Sequence, residues 1–202
     1  MKYLTPHVLM LFAVTFVFSN CKKDNTTGKC GGNKYYHNLS ASDKTKVPYS
    51  GTDTLVFVSN NEDTAVCLGQ GKKQFYVTSS FYANPDCPPN TDYYEANSYL
   101  MASTNSNFQL NFTLYKDDGY GLPAIHVIRK QTDFRLSLVH INYQAAENFI
   151  DSLKVRNVWY KRATVIWSHG NPQADKLYYN QEFGIIKIQN ADSTEIWELN
   201  NN

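Results

Sequence analysis

Cys21 follows a largely apolar run of eleven residues, Val8 to Phe18, after the polar step Ser19-Asn20, and Lys22-Lys23 stand directly behind it. A thiol at such a junction is a nucleophile open to alkylation or acylation, and it is the first place where residue type and position together suggest chemistry. Other candidates carry plainer alternatives. His126 and His140 fall in neighbouring apolar runs, so an imidazole pair for metal binding or proton transfer is one reading, and half-buried, hydrogen-bonded sheet histidines are the other. Asp117-Asp118-Gly119, in KDDGYG, offers carboxylates to calcium, yet the same residues are ordinary hairpin vocabulary. GQGK, Gly69 to Lys72, lacks the spacing of a phosphate loop and has Lys73 where a hydroxyl residue belongs, so it reads as a turn. The chain contains no G-x-S-x-G elbow and no H-E-x-x-H, which removes the motif-based case for a serine hydrolase or a zinc protease. Exposed tyrosines with Trp159 or Trp167 would suit a sugar-stacking platform, against core packing as the simpler use of the same rings.

Residues 1–20 join Lys2 to the apolar run. Eleven residues are too few for a bilayer core that needs about 20, but they suit the central region of a signal peptide. Phe18 is bulky for an ordinary signal peptidase site. The stretch VFSNCKKD resembles the relaxed lipobox of Bacteroidota-type lipoproteins. That resemblance implies that Cys21 becomes the first residue of the mature chain and is the lipidation site, carrying thioether-linked diacylglycerol and an amide-linked chain of palmitate type. Each buried CH₂ contributes about 0.8 kcal/mol, so two or three such chains hold a soluble domain at a membrane surface. The plainer alternative is a secretion signal after which Cys21 is only the first thiol.

With Cys21 acylated, Cys30, Cys67 and Cys87 remain, an odd number for an oxidising compartment. One bridge and one buried thiol is the economical arrangement. Cys67 sits among apolar residues in TAVCLG, whereas Cys30 in GKCGG and Cys87 in NPDCPPN lie in turn chemistry. A Cys30 to Cys87 disulfide is therefore favoured, with Cys67 to Cys87 the competing pairing. No C-x-x-C or H-x-x-x-H spacing points to zinc, and neither a metal nor a cofactor is expected.

The elements that must position these groups read as strands. The chain has 202 residues with an aromatic share of 14%, led by fifteen tyrosines, a composition suited to sheet. Residues 21–46 are polar and read as a tether, and residues 47–202 as one β domain. DTLVFV, TAVCL, KQFYVTS, YYEANSYLMAS, FQLNFTLYK, AIHVIR and FRLSLVHI are separated by turn residues, and DSLKV, VWYKRATVIW, KLYYN, FGIIKIQ and TEIWEL continue the pattern. In FRLSLVHI, Phe134, Leu136 and Leu138 share one face and Arg135 and Ser137 the other. NYQAAENFIDS is the one expected helical turn. The predicted fold is mainly β, an antiparallel β-sandwich or a strongly curved half-barrel sheet with at most one short helix. Gly184 suits a strand start or bulge, and Trp197 a core plug. VPYSGTDTLVFVSNNEDT and LYYNQEFGIIKIQNADSTEIWEL resemble segments recurring in Bacteroidota lipoproteins, which implies a shared β scaffold without a chemistry to carry over.

Lys2 lies in the leader, so the remainder carries 18 basic against 18 acidic groups, and no nucleic-acid footprint is expected. The functional expectation is a cell-envelope lipoprotein at the outer membrane, periplasmic or surface-facing, with a non-catalytic binding or structural β domain whose partner is an envelope protein or a glycan. The alternatives are a carrier of a hydrophobic ligand inside a curved sheet and a polysaccharide-acting enzyme with a carboxylate pair. A fatty-acid probe supplied to growing cells should label the wild-type chain, and Cys21→Ala should lose both label and membrane retention; a labelled variant would refute lipidation at this residue.

Overall fold

The computed structural model describes residues 32–82, 84–104, 108–116, 123–137, 149–168, 171 and 173–201. Cys21, Cys30, Asp117, Asp118, Gly119 and His140 lie outside the described residues. The chain divides into two compact units, one of residues 1–33 and 81–90 and one of residues 34–80 and 91–202. In the first, the Asn33 amide donates to Asn90 Oδ1 at 3.1 Å, and the Cys87 amide closes a turn on the Asn84 carbonyl. Cys87 is disulfide-bonded. Cys67 is free and buried, so the Cys67 to Cys87 pairing does not form.

The strands are β1 (Lys34–His37), β2 (Thr54–Ser59), β3 (Thr64–Phe81), β4 (Asn90–Ser103), β5 (Gln109–Lys116), β6 (Pro123–Arg129), β7 (Thr132–Ser137), β8 (Phe149–Val155), β9 (Val158–Trp167), β10 (Lys176–Asn180), β11 (Gly184–Gln189) and β12 (Ile196–Leu199), with one helical turn, α1 (Ala41–Lys44). They form one mainly antiparallel sheet in the order β7-β6-β5-β4-β3-β2-β12-β11-β10-β9-β8, and β1 joins β4 in parallel. The mainly β expectation holds. In the second unit the sheet curls without closing: a single bridge from Phe134 to Ser168 links β7 to the chain just after β9.

Alternation decides which face turns inward. Leu110, Phe112 and Leu114 of β5, Ile125 and Val127 of β6, and Phe134 and Leu136 of β7 are buried, while Asn111, Thr113, His126 and Arg135 between them are not; this is the period-two signature of a sheet with one dry side. From the other half of the sheet come Phe57, Tyr160, Leu177, Tyr179, Ile185 and Ile188, all in the same core. Trp197 packs on Phe108 with ring centroids 4.9 Å apart, as the core plug expected of it.

Tyr49 ties the halves together. Its ring meets Phe112 edge-on at 5.1 Å, and its hydroxyl oxygen accepts from the Ile185 amide at 2.7 Å. Burial pushes its phenol pKa upward, so it stays neutral. Gly184, at φ +78, is what lets the ring in, because a Cβ there would lie 2.1 Å from the Tyr49 hydroxyl. One residue further, the register between β10 and β11 slips between Tyr178 and Tyr179, the bulge the glycine suggested.

Three expectations need correction. Residues 34–46, read as tether, belong to the sheet unit. Glu95 on β4 is buried, and a buried carboxylate must be paired: it accepts from the Leu39 amide at 2.9 Å and from Gln74 Nε2 at 3.0 Å, with Lys44 Nζ 2.7 Å away. The segment is thus bolted down by a residue over fifty positions away. Second, GQGK is not a turn. It lies inside β3, an 18-residue strand; Gly71, at φ +104, bends it where the 50–53 turn abuts, and the Gly69 and Gly71 amides donate to Asp53 and Gly51 carbonyls at 2.9 Å each. A Cβ on Gly69 would lie 2.4 Å from the Gly51 carbonyl. Third, Phe149 and Ile150, near the end of the expected helical turn, are in β8 together with the expected strand DSLKV, and residues 138–148 lie outside the described residues. Among the described residues the helical turn is α1, closed by a capping box in which Ser40 Oγ accepts from the Asp43 amide and Asp43 Oδ2 from the Ser40 amide, at 3.0 Å each.

Near β12, Glu195 holds a second cross-sheet tie: buried Arg129 Nη2 is 2.5 Å from its Oε1, and Trp197 Nε1 donates to the same oxygen at 2.8 Å. Burial alone would raise the Glu195 pKa, but the Trp197 and Arg129 hydrogen bonds and the charges of Arg129 and Lys130 outweigh it and hold it down at about 2. Its folded pKa is below its unfolded one, so its stabilisation is complete above about pH 4.5 and is lost as pH falls through about 2. Wild type should therefore lose thermal stability between those values more steeply than Glu195→Gln. Gly184→Ala should cost about 2 to 5 kcal/mol through steric clash and the positive φ, and Tyr49→Phe about 1 to 3 kcal/mol by orphaning the Ile185 amide; denaturant unfolding measures both.

Candidate functional site

The face of the sheet turned away from the core carries the site. On β5 it presents Asn111, Thr113 and Tyr115, on β6 His126 and Ile128, and on β7 Asp133 and Arg135, each the alternate of a core residue. Cross-strand register aligns Thr113 with His126 and His126 with Arg135, so a polar row crosses three strands. Phe75 and Val77 of β3 and Tyr94 of β4 rise beside this face, and together these residues bound a groove of about 480 Å³ with Lys116 also in its lining. The volume falls in the range of small-ligand sites.

The charged side chains in the lining are cationic, each held by a carboxylate outside it. Asp133 is not itself in the lining but touches two residues that are, with Oδ1 2.6 Å from His126 Nε2 and Oδ2 3.2 Å from both Nε and Nη2 of Arg135. The His126 to Asp133 contact is close but misaligned for a hydrogen bond, and neither atom has another hydrogen-bond partner. Arg135 itself is largely exposed, so one carboxylate orients a guanidinium whose remaining donors face outward. At the other end Lys116 Nζ sits 3.8 Å from Asp43. Burial would raise the Asp43 pKa, yet the Ser40 hydrogen bonds and the Lys116 and Lys46 charges bring it below the usual carboxylate value. No Asp or Glu lines the groove among the described residues.

The rings are held in place. Tyr94 stacks on His37 with centroids 4.6 Å apart and planes 12° from parallel, and His37 Nε2 is 2.8 Å from Asp92 Oδ1. Tyr115 meets His126 edge-on at 6.5 Å. On the floor, Ser98 Oγ donates to Asn111 Oδ1 at 2.9 Å, which directs the Asn111 amide nitrogen elsewhere. A ring-bearing ligand thus meets aromatic walls, an amide and hydroxyl floor, and cationic ends.

A smaller cavity of about 260 Å³ lies by Lys161, Arg162 and Glu182. Its polar groups serve the chain itself: Asn180 Nδ2 donates to the Lys161 carbonyl at 2.7 Å, and Asn180 Oδ1 accepts from the Glu182 and Phe183 amides. It is a turn bracket rather than a site.

Of the residues singled out from sequence, only His126 is in the groove. Its proposed partner His140 and the Asp117-Asp118-Gly119 turn lie outside the described residues, as do Cys21 and Cys30. Burial pushes the Cys67 thiol up to about 11, which leaves it an inert core side chain. Trp159 is exposed on β9 and Trp167 half-buried; neither reaches the groove. Among the described residues no three His, Cys, Asp or Glu side chains gather as metal ligands. Phe75, Val77 and Asn111 were not singled out, and Arg135 was read only as an outward strand residue, because outward residues of a strand look alike until another strand stands beside them. No protein-family model matches the chain, and no curated protein or solved structure does either. Arg135→Ala should leave the unfolding midpoint nearly unchanged, as expected for an exposed ion pair worth at most about 1 kcal/mol, whereas Glu95→Gln should lower it by loosening residues 38–44; thermal denaturation distinguishes them.

Proposed function

We propose that this chain is a cell-envelope lipoprotein, anchored at the outer membrane through Cys21, whose β domain binds a glycan in the groove without catalysis. The lipobox-like VFSNCKKD supports the anchor. The groove supports the binding: its aromatic walls suit the faces of sugar rings, Asn111 and Thr113 suit hydroxyls, and Arg135 and Lys116 with no carboxylate in the lining favour an acidic sugar. That combination is the observation that carries the reading.

The alternatives find less support. Glycoside hydrolysis calls for two facing carboxylates, one with a raised pKa, whereas each described carboxylate with a shifted pKa is shifted down. A carrier calls for a hollow interior, and the inward face is filled by Phe57, Phe112, Tyr160, Tyr179 and their neighbours.

Calorimetric titration of the full chain in detergent tests the reading with two probes, oligogalacturonate as the acidic glycan and maltooligosaccharide as the neutral one. The acidic probe should bind more tightly, and Arg135→Ala should weaken it about tenfold, the scale of one charge-assisted hydrogen bond. Absence of binding by both, or an Arg135→Ala chain that binds as wild type, would overturn the assignment of groove and ligand.

A further inference from the structure

Strand β3 runs on after its neighbour has left it. Strand β2 covers it as far as Leu68, and the turn ahead of β2 reaches Gly71 through the Gly51 carbonyl. From Lys72 to Ser80, no strand lies against that edge among the described residues. On the other side of the β3–β4 hairpin the equivalent place is filled, because β1 pairs with β4 from Lys34↔Thr91 to His37↔Tyr94. Among the described residues one flank is covered and the other is open.

The open flank lacks the usual protection. Natural edges carry charge, proline or bulges that prevent strand addition, and here these devices stop at Gly71, Lys72 and Lys73. Gln74 to Ser80, QFYVTSS, contains no charge, no proline and no glycine. Phe75, Tyr76 and Val77 are 42%, 40% and 44% exposed, on alternating faces. A strand edge without a paired strand among the described residues, flanked by exposed aromatic and β-branched side chains, is a template for another strand.

We infer that a second copy of this chain covers this edge, β3 pairing antiparallel with β3 of its partner about a twofold axis near Tyr76 and Val77. The charge pattern argues for the copy. An axis there sets each Lys72-Lys73 pair against the uncharged far end of the other strand, so no like charges face one another. A twofold contact also closes on itself, leaving no new edge for further addition. Because the axis is perpendicular to the sheet, Phe75 and Val77 of both copies lie on one side, and the two grooves open in the same direction. The pairing itself does not depend on what the groove holds.

The test uses the full chain in detergent. Sedimentation velocity should show a dimer with a Kd tighter than about 100 µM. Thr78→Lys, beside an axis at Val77, should weaken it about tenfold by bringing two ammonium groups together on the diagonal of the seam. Tyr76→Cys or Val77→Cys should form an intermolecular disulfide on mild oxidation, whereas the exposed control Trp159→Cys should not, so a folding defect in one variant does not decide the outcome. A monomer up to about 100 µM, a dimer indifferent to Thr78→Lys, or equal cross-linking at Trp159→Cys would overturn it. Thr78 is not in the groove lining, so loss of the dimer with retained oligogalacturonate binding separates this inference from the glycan reading.

Discussion

The contact between the Tyr49 ring and the bare backbone at Gly184 is the constraint on which the rest of the sheet unit depends. A strongly curled open sheet has to be held in its curl, since edge strands supply no ladder to close it. Here one side chain spans the interior, touching Phe112 of β5 and receiving the Ile185 amide of β11. Nearby, the Tyr179 hydroxyl donates to the Lys46 carbonyl at 2.7 Å, so the chain segment entering β2 is fastened at two points. Burial keeps both phenols neutral, which is the condition for their lying among aliphatic side chains at low cost.

Curling separates the two faces into two functions. The inward face is given over to close packing of Phe57, Phe112, Phe134, Tyr160 and Leu177. The outward face of β5 to β7 is left to polar residues. Extending β3 and β4 beyond that region places Phe75, Val77 and Tyr94 beside it, and a surface that would otherwise be flat gains a wall. The same extension exposes the long edge of β3. Groove and edge are thus two results of one feature, a hairpin longer than the strands that flank it.

Half-buried ion pairs mark where distant segments are held in register. Glu95 collects residues 39, 44 and 74, and Glu195 collects Arg129 and Trp197. Such pairs contribute less net stability than their geometry suggests, because one charge of each, Glu95 or Arg129, leaves water. Their effect is specific: removing one partner strands the other. This is why residues 34–46, unremarkable and polar as a string, are nonetheless part of the sheet.

Much of the fold was legible from local pattern. Residue type in FQLNFTLYK, AIHVIR and FRLSLVHI assigned strands, alternation in the last of them assigned the inward face of Phe134 and Leu136, and Gly184 and Trp197 suggested a bulge and a plug, because these depend on neighbours two residues away or on backbone sterics. The Ser40 to Asp43 capping box was equally local and was overlooked beneath a polar composition. GQGK misled because glycine marks a turn and a bend within a strand alike, and only the approach of the Ser50 to Asp53 turn distinguishes them. By itself, then, the sequence determined the β character and the dry face of β7. Tertiary structure alone decided the groove, the partners of Glu95 and the open edge of β3, since each is a relation between residues far apart in the chain, and side-chain type carries no record of which strand will lie alongside.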